Sequence, residues 1–248
     1  MAKADRLQTL SGYAYAHRGL HDAAVPENSL AAFRGAIARG LGIECDIRKS
    51  SDGRAMVFHD AALERLTGRS GPMGQRSVGD LTSIVLTGSE ETIPTLRDVL
   101  DLVAGQVPLL LEIKVDEGKP CEPLCRAVRR DLEGYNGPLG VMSFDPRVPQ
   151  WFAAREEDLP AGLVVTEQDA RTMMASMALR RAVAKVDADF LALDIRDLPS
   201  RLAAKAAAQG KPLFSWTVRS AEQVETARAA GAMPIVEAAG VAAWEAAS

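Results

Sequence analysis

Cysteine and histidine are scarce in this chain of 248 residues, with three of each. Cys45, Cys121 and Cys125 have neither the paired spacing of a zinc site nor the even count of a disulfide framework. Unpaired thiols suit a reducing compartment, so a cytoplasmic location is expected. Long apolar runs are missing too. No stretch approaches the ~18 residues of a membrane helix, and residues 1–19, "MAKADRLQTLSGYAYAHRG", lack the apolar core of a signal peptide. No stable membrane insertion is therefore expected. Positive charge is not in excess: 29 Lys and Arg stand against 33 Asp and Glu, a net charge of −4. That balance argues against a surface built for nucleic acid. The basic runs "RAVRR" (126–130) and "LRRAVAK" (179–185) read as solvated helix faces. There is no low-complexity tract and no linker, and nothing marks an oligomeric state.

What the sequence does contain is an alternation of short apolar runs and amphipathic segments. Strands are predicted at 13–17, 43–47, 55–59, 108–114, 139–144, 162–166, 190–195, 213–218 and 233–238. The helices between them have recognisable ends. "NSLAAFRGAIARG" opens on Asn28 or Ser29 and closes on Gly40, with Leu30, Phe33 and Ile37 as its apolar stripe. Others open at Thr95, with Asp98 three residues on, and at Ser220, where Gln223 completes a capping-box pattern. Gly210 and Gly231 close two crossover helices just before a strand.

Nine strands exceed the eight of a (β/α)8 barrel. "SSDG" at 50–53 accounts for the excess. The stretch from Asp46 to His59 is too short for a crossover helix, and Asp52-Gly53 is a hairpin signal. Residues 55–59 are thus the return arm of a hairpin, which brings His59 back level with Glu44 and Cys45. The expected fold is α/β, a (β/α)8 TIM barrel with a hairpin excursion after its second strand. A single domain is expected over 1–248, with a short insertion at about 61–92. A doubly wound sheet would carry a glycine-rich loop after its first strand, and "HRGLHDAA" is not one.

Barrel enzymes place their chemistry at the C-terminal ends of strands. Polar residues collect there on the first three barrel strands: His17-Arg18, then Glu44 and Asp46 with His59-Asp60, then Glu112 and Lys114. Side chains alternate along a strand, so Glu44 and Asp46 share one face, as do Glu112 and Lys114. Three converging buried carboxylates need cations. Arg18, Arg48 and Lys114 would make them structural ion pairs. A hard divalent ion, Mg²⁺ or Ca²⁺, suits their oxygens better. His17 and His59 beside such a site suit paired acid–base work, whereas His21 reads as a loop residue. Trp216 stacks on substrate or packs the barrel, and Ser143 and Phe144 either line the pocket or, for Phe144, fill the core.

Read in order, "AHRG" (16–19), "PENSLAAF" (26–33), "ECD" (44–46), "DGRAMVFHDAALERLTG" (52–68), "IPTLRDVL" (93–100), "LEIK" (111–114), "SFD" (143–145) and "WTV" (216–218) resemble the glycerophosphodiester phosphodiesterase family. The resemblance implies a (β/α)8 barrel that hydrolyses small-molecule glycerophosphodiesters to sn-glycerol 3-phosphate and an alcohol. It implies one divalent cation on Glu44, Asp46 and Glu112, acid–base roles for His17 and His59, and phosphate contacts from Arg18 and Lys114. Where the family often ends its last strand in Asp-Pro, this chain reads "PIVEAAG", and no role passes to Glu237. The insertion, "GRSGPMGQRSVGDLTS", reads as a polar lid or loop. Two other functions remain open: a phospholipase D-like hydrolase of lysophospholipids or sphingolipids, and a noncatalytic phosphodiester-binding barrel.

Overall fold

The computed structural model describes residues 2–170 and 172–247. Nine strands run in chain order: β1 Tyr15–His17, β2 Gly42–Lys49, β3 Ala55–Val57, β4 Leu109–Ile113, β5 Leu139–Ser143, β6 Ala161–Val165, β7 Phe190–Asp194, β8 Leu213–Val218 and β9 Ala232–Val236. The longer helices are α1 Lys3–Leu10, α2 Leu30–Ala38, α3 Leu96–Val103, α4 Glu122–Leu132, α5 Arg147–Ala153, α6 Met173–Val186, α7 Arg201–Ala208, α8 Ala221–Ala229 and α9 Ala239–Ala247. Eight parallel strands, surrounded by helices, make a closed (β/α)8 barrel, and β3 lies outside the ring. The chain divides into two compact units, residues 1–17 with 139–248 and residues 18–138.

In the first unit the strand order is β1-β9-β8-β7-β6-β5. These strands are buried on both faces, as continuous apolar runs such as "FLALD" require. Tyr15, Phe214 and Phe190 form an edge-to-face series with centroids 5.7 and 5.1 Å apart. The Tyr15 hydroxyl donates to the Leu10 carbonyl at 2.8 Å, tying α1 to β1. That helix has no strong pattern in the sequence, and only its Leu10 is buried.

In the second unit β2 pairs in parallel with β4, with Asp46 opposite Glu112, and antiparallel with β3, with Ile47 opposite Val57. This register places position 59 level with position 45, as the hairpin symmetry predicts. Ser29, not Asn28, caps α2: its hydroxyl accepts from the Ala32 N–H. Thr95 and Asp98 close a full capping box on α3.

The insertion differs from its sequence reading as a polar lid or loop. Its Leu63, Met73, Leu81 and Leu86 join Met56 and Phe58 of the hairpin's return arm and Ile93 in one hydrophobic cluster, each at most 1% exposed. Short helical turns at Glu64–Thr67, Met73–Gln75 and Val78–Leu81 connect these side chains. The apolar residues lie too far apart in sequence to show helical periodicity, which is why composition alone reads the segment as polar.

Candidate active site

The Arg18-Gly19 turn organises the second unit's polar cluster. Both residues have positive φ, 57° and 80°. A Cβ at position 19 would stand 2.8 Å from Ala32 Cβ and Phe33 Cδ1, so only glycine lets the chain pass this close to α2. The turn aims two groups of Arg18 at once. Its backbone N–H donates to Glu44 Oε2 at 3.0 Å, and its guanidinium meets Asp46 Oδ2 at 3.1 Å and Glu27 Oε1 at 2.8 Å. Asn28, also at positive φ, donates its amide to Asp46 Oδ2 at 2.9 Å and accepts the Asp46 backbone N–H at 3.2 Å. Backbone held in such sparsely populated conformations is common where function demands a fixed geometry.

Glu44, Asp46 and Glu112 are 1%, 1% and 8% exposed. One carboxylate oxygen from each lies within 4.8 Å of the others. Lys114 bridges Asp46 Oδ1 at 3.0 Å and Glu112 Oε1 at 2.5 Å. Burial pushes the carboxyls of Glu44 and Glu112 up from their ordinary range, and the neighbouring carboxylates add to it for Glu44. Burial works against the charge of Lys114, but Asp46 and Glu112 outweigh it and hold the ammonium firmly protonated. Two organic cations thus leave the three acids short of neutralisation. A compact set of hard oxygens with excess negative charge fits a divalent ion.

His59 sits at the end of the excursion, its Nδ1 2.6 Å from Asp60 Oδ1. Arg48 Nε donates to the His59 carbonyl at 2.6 Å. Burial lowers the His59 pKa, and Arg18 and Lys114 lower it further against the pull of Asp46 and Asp60. Arg65 clamps Asp60 at 2.6 Å and Glu27 at 2.8 Å, linking the excursion to the partner of Arg18.

In the first unit His17 ends β1, with its Nδ1 2.6 Å from Glu237 Oε2. The hydrogen bond from His17, helped by Arg219 at 3.1 Å, pulls the Glu237 carboxyl down to about 2. Trp216 donates its indole N–H to the Ala192 carbonyl at 3.0 Å and packs edge-on against Phe144, with centroids 5.4 Å apart. Phe144 is 46% exposed, so it is not a core residue as its type suggests. Ser143 is buried and accepts the Asp145 N–H.

Five expected residues, Arg18, Glu44, Asp46, Glu112 and Lys114, are thus brought together, and His59 feels the charges of three of them. Sequence reasoning missed Glu27 and Asn28 as side chains that set the cluster, although both lie in "PENS". It also missed Glu237, whose only signal was its place at the end of the last strand.

The model of the glycerophosphoryl diester phosphodiesterase family matches residues 17–237. A human protein, glycerophosphodiester phosphodiesterase 1, is 32% identical over 54% of this chain. The match spans 43% of that relative, less than half its length. A probable glycerophosphodiester phosphodiesterase 1 of Mycobacterium tuberculosis is 26% identical over 93% of this chain and 90% of its own. Among solved structures, a phosphodiesterase of Oleispira antarctica in complex with its product sn-glycerol-3-phosphate superposes with a TM-score of 0.82. It is 23% identical and covers 96% of this chain and 98% of its own, a likeness of fold.

Proposed function

The chain belongs to the glycerophosphoryl diester phosphodiesterase family, and from that membership we propose that it hydrolyses glycerophosphodiesters to sn-glycerol 3-phosphate and an alcohol. One catalytic domain over residues 1–248 is part of the proposal. The observation that carries it is the buried cluster of Glu44, Asp46 and Glu112 with Arg18 and Lys114 at its edge.

Glu44, Asp46 and Glu112 would hold one Mg²⁺ or Ca²⁺. When bound, that cation supplies Lewis-acid stabilisation of the charge that grows on the phosphoryl oxygens. Arg18 and Lys114 bind the nonbridging oxygens from the protein side, fixed in advance by Glu27, Asp46 and Glu112. Ionised carboxylates only accept hydrogen bonds. Glu237 and Asp60 therefore keep a proton on Nδ1 of His17 and His59, which assigns proton transfer to Nε2 of each ring.

With Glu237 on Nδ1, Nε2 of His17 is the proton acceptor, and His17 deprotonates the attacking hydroxyl of water or of the substrate's own glycerol; in the second case the cyclic phosphate formed as the alcohol leaves is then opened by water to glycerol 3-phosphate. Burial makes the imidazolium of His59 the stronger acid, and it protonates the departing alcohol. Trp216, fixed by its indole hydrogen bond, offers an aromatic face to the glycerol moiety.

A coupled assay for glycerol 3-phosphate release from glycerophosphocholine, with and without chelator, tests the reading. Release that stops on chelation and returns with Mg²⁺ or Ca²⁺ is expected. Choline release from lysophosphatidylcholine, leaving lysophosphatidate, with no turnover of glycerophosphocholine would transfer the proposal to the phospholipase D-like reaction, and no turnover of either substrate would end it.

A further inference from the structure

Lys114 has a second neighbourhood. Beyond its ion pairs with Asp46 and Glu112, it lines a cavity of about 460 Å³, within the ~300–1,000 Å³ of small-molecule sites. The cavity belongs wholly to residues 18–138. It runs between the end of β2, the excursion, and the loop from β4 into α4.

Its walls are apolar and stiff, built from Pro72, Met73, Pro120, Pro123 and Leu124. Its charge is one-sided. Arg48, Lys49, Lys114 and Lys119 line it, against the single carboxylate of Asp116. Asp116 is already engaged by Arg48 Nη1 at 2.7 Å. Lys49 Nζ reaches a neutral acceptor, the Ser50 carbonyl, at 3.2 Å. Glu117 and Glu122, in the same stretch of chain, are exposed and do not line the cavity.

We propose that this cavity receives the alcohol half of the substrate and selects alcohols that carry negative charge over those that carry a quaternary ammonium. The inference rests on the phosphodiesterase reading and specifies its substrate class. The departing alcohol is bonded to the same phosphorus whose oxygens Lys114 contacts, so it lies within reach of the space that Lys114 also lines. There a choline head meets like charge, whereas an alcohol bearing a further phosphate meets complementary charge. Proline walls lose little freedom on binding, so this preference is not offset by ordering the site. Across about 8–10 Å of solvent-facing groove, each unit charge is worth about twofold to fivefold in kcat/KM at low salt.

Three glycerophosphodiesters with alcohols of different charge test this: glycerophosphocholine (cationic), glycerophosphoglycerol (neutral) and bis(glycerophospho)glycerol (anionic). The expected kcat/KM rises in that order, with the anionic substrate ahead of the cationic one by about tenfold or more, a lead that shrinks as salt is added. The double variant Lys49→Glu, Lys119→Glu changes positions outside the catalytic cluster and makes the lining predominantly acidic. It should flatten or reverse the ranking, read as ratios of kcat/KM within each protein so that any common effect on the phosphodiester charge cancels. Should the double variant fold poorly, Lys119→Ala alone should narrow the anionic-to-cationic ratio by about twofold or more.

A wild-type ranking with glycerophosphocholine equal or first overturns the inference and leaves the phosphodiesterase reading standing. So does a ranking that the folded variants leave unchanged. Absence of glycerol 3-phosphate release from all three substrates overturns both.

Discussion

Replacing Glu237 by Gln isolates the charge behind His17. The native carboxylate lies 2.6 Å from His17 Nδ1 and 3.1 Å from Arg219 Nε. With its pKa drawn down to about 2, it is ionised at every pH at which the enzyme would be assayed. Gln keeps the length and the acceptor oxygen but removes the charge. Hydrogen bonds to charged groups contribute ~1.5–3 kcal/mol, against ~0.5–1.5 for neutral pairs. The substitution therefore removes about 1–1.5 kcal/mol of support for a protonated His17, about 5- to 10-fold in kcat/KM. It should also move the limb of the kcat/KM–pH profile governed by His17 to lower pH, because a lost negative neighbour disfavours the imidazolium. Asp at this position restores the charge with one methylene less reach and should recover part of both effects. The assay is steady-state glycerol 3-phosphate release across pH 5–9 for the three proteins, beside their melting curves. A merely structural Glu237 would change the melting temperature alone. A Gln variant within twofold of the parent, its pH limbs unmoved, would refute the reasoning.

His17→Ala and His59→Ala should each lower kcat by about 10²–10⁴-fold with melting temperature nearly unchanged; near-normal turnover in both removes them from the chemistry. Saturating Mg²⁺ or Ca²⁺ should raise the melting temperature, by about 2.7 kcal/mol of stability at a hundredfold excess over Kd, roughly 5–10 °C for a domain of this size. That gain should grow as pH rises. Burial holds the Glu44 and Glu112 pKa values above their unfolded values, so the stability they give is present at low pH and lost as pH rises through the folded values. As their protons leave, the ion meets less competition, and a pH-independent gain would contradict this. Asn28→Ala removes both hydrogen bonds to Asp46 and puts alanine at φ 56°. It should cost about 1–3 kcal/mol in urea unfolding, and an unchanged midpoint would mean that Asn28 does not hold Asp46.

Much of this was legible in the sequence because it follows from periodicity. Eight apolar runs separated by capped helices specify the barrel, and the Asp52-Gly53 turn within a short span specifies the hairpin. Alternation along β2 and β4 put Glu44, Asp46, Glu112 and Lys114 on common faces. What stayed hidden depends on approach across long stretches of chain. Glu237 reaches His17 from 220 positions away. Asn28 looks like a helix cap until its positive φ turns it onto Asp46, leaving Ser29 to cap. Phe144 has a core residue's composition but a rim residue's exposure, because it follows the last buried position of β5.

Phe58 belongs to the small apolar cluster of the excursion and is the residue before His59. The imidazole proposed as the acid is thus mounted on an appendage with its own apolar cluster, outside the ring of eight strands. Loosening at Leu81 or Leu86 would reach the imidazole through Phe58, its neighbour in the chain. On that reading the temperature at which turnover fails should follow the cohesion of this appendage as well as that of the barrel.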